Sequence, residues 1–378
     1  MKGFENVRAY VGGKIVTCNI LFDTHIRDMG RGKPTEKIEI PSNAVVLPGF
    51  IDEHVHGAGG ADTMDGSVEA LSVMADALAG EGTTTFLATT MTQSPENIVK
   101  ALSAVKAYRA SGRKSGAHLA GVHLEGPFIA AAHKGAQPEE YIAKPSVETF
   151  EKYNAASGDC IKIVTLAPEA EGAAALITSL KERGIVASVG HTSAKYQDIA
   201  RAVESGATHV THTFNAQSPL HHREIGVVGS ALLLDGLTCE LIADTIHVSV
   251  PAMQLLLKCK GEKVILITDA IRAKGLGDGK SELGGQEVFV KNGEARLQDG
   301  TLAGSVLKMN VAIKNLVEKA GVPLERAVRF ATENPARALG IFDETGSIEV
   351  GKSADFAVLD RGFNVLMTVR GGEIVYRA

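Results

Sequence analysis

Two histidines one residue apart, in His54-Val55-His56-Gly57, follow the apolar run Val45-Val46-Leu47-Pro48-Gly49-Phe50-Ile51. On a strand, positions i and i+2 share a face. Neutral imidazole is the commonest protein ligand for transition metals. A pair at a strand end therefore reads as half of a metal site, although either histidine alone is an ordinary strand residue. Four more residues extend the pattern. Glu125 lies in His123-Leu124-Glu125-Gly126-Pro127 and His191 in Val189-Gly190-His191-Thr192. His212 lies in Thr211-His212-Thr213-Phe214-Asn215-Ala216 and Asp269 in Ile267-Thr268-Asp269-Ala270. Each sits at or near the end of an apolar run.

Four imidazoles and two carboxylates in one place suit one or two divalent cations. A cation of this kind lowers the pKa of bound water toward ~7, so the chemistry implied is metal-assisted hydrolysis. His54, His56, Glu125, His191, His212 and Asp269 are the metal candidates, with Glu125 placed to bind one cation or bridge two. Asp269 is also the catalytic candidate, able to take a proton from water and return it to a leaving group. His123 and His209 are read as satisfied core groups. A second cluster suggests an anion. Backbone amides at Asn215-Ala216 can form an anion nest, and Arg223 suits bidentate phosphate contact. His247, in Asp244-Thr245-Ile246-His247, follows the seventh apolar run on the same face.

Eight apolar runs must position these residues: Val45–Ile51, Thr83–Thr90, His118–Leu124, Cys160–Ala167, Ile185–Val189, His209–Phe214, Leu237–Ile242 and Lys263–Thr268. Most look fully buried, as parallel strands are. Helical patterns separate them. Ser94-Pro95 offers an N-cap with proline at the first helical position, and Gly206 is placed to end a helix from about Ser193 to Ser205. Ala173–Glu182 and Val250–Lys258 read similarly. Eight strand-plus-spacer units over roughly 290 residues match an α/β fold of the (β/α)8 TIM-barrel class, whose active site lies at the C-terminal strand ends. An open doubly wound sheet is the alternative, weakened by the lack of G-x-G-x-x-G after the first strand. The spacer Gln217–Asp235 reads as a polar loop before an apolar stretch. The two ends differ from the middle. Residues 1–43 and 344–378 carry short strand signals, including Gly12–Thr17, Lys37–Ile40, Thr345–Val350, Ala354–Leu359 and Gly372–Tyr376. Together they are expected to form one small β-sandwich domain beside a catalytic domain of residues 44–343.

Among 378 residues, 44% are hydrophobic and the net charge is −5. That balance gives no bulk attraction to nucleic acid or an anionic membrane. The four scattered cysteines fit reduced, mostly buried thiols in a cytosolic protein. No signal peptide and no membrane span are expected.

The motifs together resemble the amidohydrolase superfamily and, within it, the N-acetylglucosamine-6-phosphate deacetylases. The likeness covers nearly the whole chain. It rests on Pro48-Gly49-Phe50-Ile51-Asp52 leading to His54-x-His56-Gly57, on Leu124-Glu125-Gly126-Pro127-Phe128 followed by His133-Lys134-Gly135-Ala136, and on Gly190-His191-Thr192. It continues through Phe214-Asn215-Ala216, Leu220-His221-His222-Arg223-Glu224 and Leu266-Ile267-Thr268-Asp269-Ala270. The resemblance implies removal of acetate from N-acetyl-D-glucosamine 6-phosphate in cytosolic amino-sugar catabolism. It implies zinc first, with iron or manganese as substitutes. Glu125, His191 and His212 would hold one metal, and His54 and His56 belong to a second position. Asp269 matches the general base and acid. Asn215-Ala216, Arg223, Asp244 to His247 and Leu302-Ala303-Gly304 match substrate contacts, and Ala136-Gln137 matches a flexible active-site loop that also contacts substrate. Relatives are homodimers whose phosphate site borrows from the neighbouring subunit, which would bring His221 or His222 into action in trans.

Two positions depart from the family. Gln137 stands where several relatives have histidine, and Thr245 where glycine is common. Hydantoinases and dihydroorotases instead use a carboxylated lysine from the fourth strand. Lys162 lies near the start of that run, far from its mouth end. The rival readings are an amidohydrolase for another N-acetyl sugar phosphate or for a non-phosphorylated amide, and a non-catalytic barrel serving assembly.

Overall fold

The computed structural model describes residues 1–30 and 32–378. Eight parallel strands run Phe50–Val55, Thr83–Thr90, His118–Glu125, Ile161–Leu166, Val186–Val189, His209–Val210, Thr238–Ile242 and Val264–Ile267. They pair in sequence order. The first and eighth meet through a parallel bridge between Val55 and Ala270, the Asp269 N–H donating to His54 O at 2.8 Å and the His56 N–H to Ala270 O at 2.9 Å. This closes the (β/α)8 barrel, and the seam lies at the expected site residues.

The helices between strands follow their capping signals. Ser94 Oγ accepts the Asn97 N–H and starts Pro95–Ala110. Gly206, at φ +123°, ends Tyr196–Ser205. Ser193 and Ala194 precede that helix instead of opening it, because the Ser193 N–H donates to Glu169 and the Ala194 N–H to Thr192 Oγ1. Gly226–Leu233 supplies a short helix after the polar loop. No helix among the described residues is long and apolar enough to cross a membrane.

Two of the expected runs depart from the reading by more than a terminal residue. Val45–Ile51 splits at Gly49. Val45–Pro48 joins the terminal sheet, between the strands Lys2–Val11 and Phe356–Leu359, and the barrel strand begins at Phe50. A Cβ at Gly49 would lie 2.1 Å from Thr84 Oγ1, so only glycine permits this crossover. The sixth run stops at Val210. His212, Phe214 and Ala216 have φ of +30°, +84° and +49°, incompatible with a strand.

The terminal sheet has eight strands drawn from both ends of the chain. Lys2–Val11 and Lys14–Phe22 form a hairpin whose two turn residues, Gly12 and Gly13, have φ of +56° and +81°, as a primed two-residue turn needs. Thr345–Val350 is irregular rather than a strand, while Val365–Arg370 adds one that patterning did not show. The rings of Phe22 and Phe356 are 5.1 Å apart, although two strands separate theirs in the sheet. A flat sheet would hold them roughly 14 Å apart, so this one curls over a core of Phe4, Ile20, Phe22, Val46, Phe356 and Val358. The alternate residues Val45, Leu47, Ala357 and Leu359 pack with the barrel core. Period-2 alternation thus glues the sheet to the barrel.

A three-stranded antiparallel sheet, Gly279–Leu283, Gln286–Lys291 and Glu294–Arg296, was not foreseen. It follows the eighth strand and packs Leu283, Val288, Val290 and Ala295 against Met91, Ile271 and Ala303 at the barrel mouth. The four cysteines are unpaired: Cys160 and Cys239 are buried, Cys18 half-buried and Cys259 exposed.

Candidate metal centre

Glu125, the last residue of the third barrel strand, is the hub. Its Oε1 lies 3.1 Å from His212 Nε2, 3.3 Å from His191 Nε2 and 3.4 Å from His54 Nε2. Its Oε2 lies 3.3 Å from His56 Nε2. Asp269 Oδ1 is 3.2 Å from His56 Nε2 and 3.4 Å from His54 Nε2. The structure therefore brings all six metal candidates together. Two sets of ligand atoms, Glu125-His191-His212 and His54-His56-Glu125, each fall within 4.8 Å of one another.

Hydrogen bonds behind the rings decide which nitrogens face inward. His191 Nδ1 is 2.8 Å from the His133 carbonyl, which only accepts. That nitrogen carries the proton and leaves the Nε2 lone pair pointing at Glu125. His54 Nδ1 is 3.0 Å from Glu240 Oε2, a carboxylate with no exposure. His54 Nε2 then has no hydrogen-bond partner, although it is buried and faces two carboxylates. His191 Nε2 and His212 Nε2 stand only 3.0 Å apart. Lone pairs converging on each other and on anionic oxygens repel unless a cation lies between them. The donor set of imidazole nitrogen and carboxylate oxygen fits zinc, iron or manganese. Burial opposes charge on His54, but Asp269, Glu125 and Glu240 lift its pKa to about 9. His56 is raised well above its usual value by Asp269 and Glu125, against the same burial. In the metal-free chain these shifts favour a proton on His54 and His56 in place of the cation.

Backbone geometry at the site is strained. Among the described residues, six of the ten non-glycine ones with positive φ are His191, His212, Phe214, Ala216, Thr245 and Asp269. Each left-handed residue costs about 1–2 kcal/mol, and such strain persists where surroundings over-determine it. The His212 N–H is held by Glu240 Oε2 at 3.0 Å. Asp269 is held on both sides, its N–H by His54 O and its carbonyl by the Ser305 N–H. Thr245 has φ +71°, in the left-handed region that favours glycine. Gly304 has φ +58°, and a Cβ there would lie 2.6 Å from Ile271 Cγ2 and 2.9 Å from Asp269 O.

The centre forms the floor of a cavity of about 340 Å³. His56, Glu125, His191, His212 and Asp269 line it, with Ala136, Gln137, Asn215, Ala216, His247, Leu302 and Gly304. Asp244 stands behind His247: its Oδ2 is 2.6 Å from His247 Nδ1, which turns Nε2 to the cavity. Ala303 is buried beneath the wall. Arg223 is exposed, outside the lining, with Nη1 2.8 Å from His222 Nε2. The Asn215 N–H donates to His212 O, so the expected nest lacks that amide. Lys162 lines a separate cavity with His118 and Arg370, at the opposite end of the barrel.

The two histidines read as satisfied core groups, His123 and His209, are both buried, but His209 Nε2 has no hydrogen-bond partner. His123 bridges Glu53 O and Thr165 Oγ1 at 3.0 and 2.7 Å, and burial lowers its pKa to about 3. Burial likewise lowers His209 to about 4. Sequence reading missed Glu240. A charged residue inside the buried strand Cys239-Glu240-Leu241-Ile242 was the available signal.

The amidohydrolase family model matches residues 45–375. The chain belongs to the amidohydrolase family. This amidohydrolase is 47% identical over 345 residues to an N-acetylglucosamine-6-phosphate deacetylase of Bacillus subtilis, covering 90% of this chain and 87% of that one. It is 38% identical to an N-acetylgalactosamine-6-phosphate deacetylase of Escherichia coli O157:H7, over 85% of each chain. The crystal structure of an N-acetylglucosamine-6-phosphate deacetylase from Pasteurella multocida superposes with a TM-score of 0.93 at 32% identity and covers all of both chains.

Proposed function

We propose that this chain removes acetate from N-acetyl-D-glucosamine 6-phosphate, giving D-glucosamine 6-phosphate in amino-sugar catabolism. The convergence of His54, His191 and His212 Nε2 on Glu125 Oε1 carries the reading. Glu125, His191 and His212 would hold one divalent cation, zinc by preference. His54 and His56, with Asp269, would hold a second. A cation there supplies Lewis acidity and an activated water. Asp269 takes the water's proton and delivers it to the departing amine. His247, its Nδ1 fixed by Asp244, turns Nε2 toward the substrate cavity. Ala136, Asn215, Ala216, Leu302 and Gly304 shape the sugar site beside the metal residues.

In this reading Arg223 binds the phosphate. Its exposure in the His221–Glu224 turn fits a homodimer in which that turn completes a neighbouring site. The scattered unpaired cysteines suit the cytosol.

The test is acetate release from N-acetylglucosamine 6-phosphate, with and without a chelator. Chelator-insensitive turnover would sink the metal role. The resemblance to an N-acetylgalactosamine-6-phosphate deacetylase supports a second reading. The galacto epimer in the same assay separates the two: a higher kcat/KM on it would reassign the substrate.

A further inference from the structure

Gln137 closes the loop that follows Glu125, and it is buried. Its Oε1 faces the Thr92 backbone N–H at 2.6 Å. A backbone N–H only donates, so the other end of the amide must be the NH₂ group. That Nε2 donates to Glu125 Oε2 at 2.8 Å. The same loop supplies the His133 carbonyl that sets the His191 tautomer. It is pinned from above by Gln286, whose Nε2 donates to Ala136 O at 2.5 Å.

We propose that Gln137 is a positioning residue for the metal centre: its amide locks the Glu125 carboxylate so that Oε1 meets His191 and His212. The proposal rests on the metal reading above. The terminal torsion of a glutamate is broad, so an untethered Glu125 would turn freely among four surrounding imidazoles. Gln137 holds one oxygen, and the other is left facing the His191–His212 pair. An amide whose carbonyl and one N–H are already engaged has a single N–H left for substrate. Groups that orient a metal ligand from behind control affinity for the metal. Resemblance alone would instead make Gln137 a substrate contact, and the two roles predict different losses.

The metal-free full chain is titrated with Zn²⁺ against a chromophoric chelator, and KM and kcat are measured at saturating Zn²⁺. Gln137→Met keeps the volume and removes the donor, and should weaken the tightest Zn²⁺ site by about 10- to 100-fold with KM unchanged. Gln137→His keeps a donor and should retain near-wild-type affinity. Unchanged Zn²⁺ affinity in Gln137→Met, with or without a raised KM, overturns the positioning role. Loss of affinity in Gln137→His as large as in Gln137→Met overturns it too, and if Gln137→Met does not fold, an affinity loss of that size in Gln137→His decides alone. A wild-type chain that binds no Zn²⁺ overturns the metal reading itself.

Discussion

Glu240 Oε2 lies 3.0 Å from His54 Nδ1, so the ring that faces Glu125 and Asp269 is gripped from behind by a second buried carboxylate. The same oxygen takes the His212 N–H. One side chain from the seventh strand thus orients one candidate ligand on the first strand and another in the turn after the sixth. Glu240→Gln keeps the size but weakens the grip. Affinity for the weaker of two bound metals should fall by about 10- to 100-fold, read by calorimetric titration of the metal-free chain. Equal affinities in both proteins would remove Glu240 from the centre.

Asp269 is bound at its backbone and offers its carboxylate to the cavity. Asp269→Asn should lower kcat by about 10²- to 10⁴-fold, the usual range for losing a proton-transfer group. Elemental analysis should still find metal on Glu125, His191 and His212. Activity within a few-fold of wild type, roughly, would assign proton transfer elsewhere.

Arg223 stands in an exposed turn rather than on the cavity wall. If its turn serves a neighbouring subunit, Arg223→Ala raises KM for the phosphosugar by about 10-fold or more, as loss of a charge-assisted contact does, and spares non-phosphorylated N-acetylglucosamine. Mixing Arg223→Ala with Asp269→Asn chains should restore part of the activity, because one shared site is then intact. An unaltered KM would exclude Arg223 from phosphate binding.

The pH response of the metal-free chain follows from His54. Its pKa rises from ~6.5 unfolded to about 9 folded. Its proton therefore stabilises the fold fully below about pH 6.5, and that contribution disappears as pH climbs through 9. His56 acts in the same direction. The thermal midpoint of metal-free protein should fall between these limits. Metal-loaded protein should gain over the same window, since cation and proton compete for one lone pair. Parallel slopes for the two forms would contradict both.

Lys274 Nζ and Glu81 Oε1 are 2.8 Å apart and almost wholly buried. Burial raises the Glu81 pKa, against the pull of Lys274. Lys274→Met strands that carboxyl and should cost about 3–5 kcal/mol, seen as a lower urea midpoint. Adding Glu81→Leu should recover most of the loss. A neutral single substitution would show that the pair contributes no stability.

The barrel was legible because its strands are short apolar runs and its helices carry explicit caps such as Ser94 and Gly206. The six metal candidates were legible because polar residues at the ends of buried runs stand out. Contacts depending on a side chain's far partner were not. Nothing around Gln137 announces that it reaches back to Glu125, and nothing around Glu240 names His54 as its partner, 186 residues away. The split at Gly49 was hidden because Val45–Pro48 and Phe50–Val55 are equally apolar, and only Thr84 makes a bend there obligatory. The inserted sheet 279–296 went unread because its strands are short and largely polar.

Val45–Pro48, the segment that leads directly into His54, pairs on one side with the strand Phe356–Leu359. During vectorial synthesis the approach to the first barrel strand stays half-paired until nearly all of the polypeptide has emerged. The first two metal-site histidines to be translated, His54 and His56, are thus secured by residues translated late. Nascent chains stalled before Phe356 should expose a sticky, unmatched sheet edge, the kind of surface that chaperones hold.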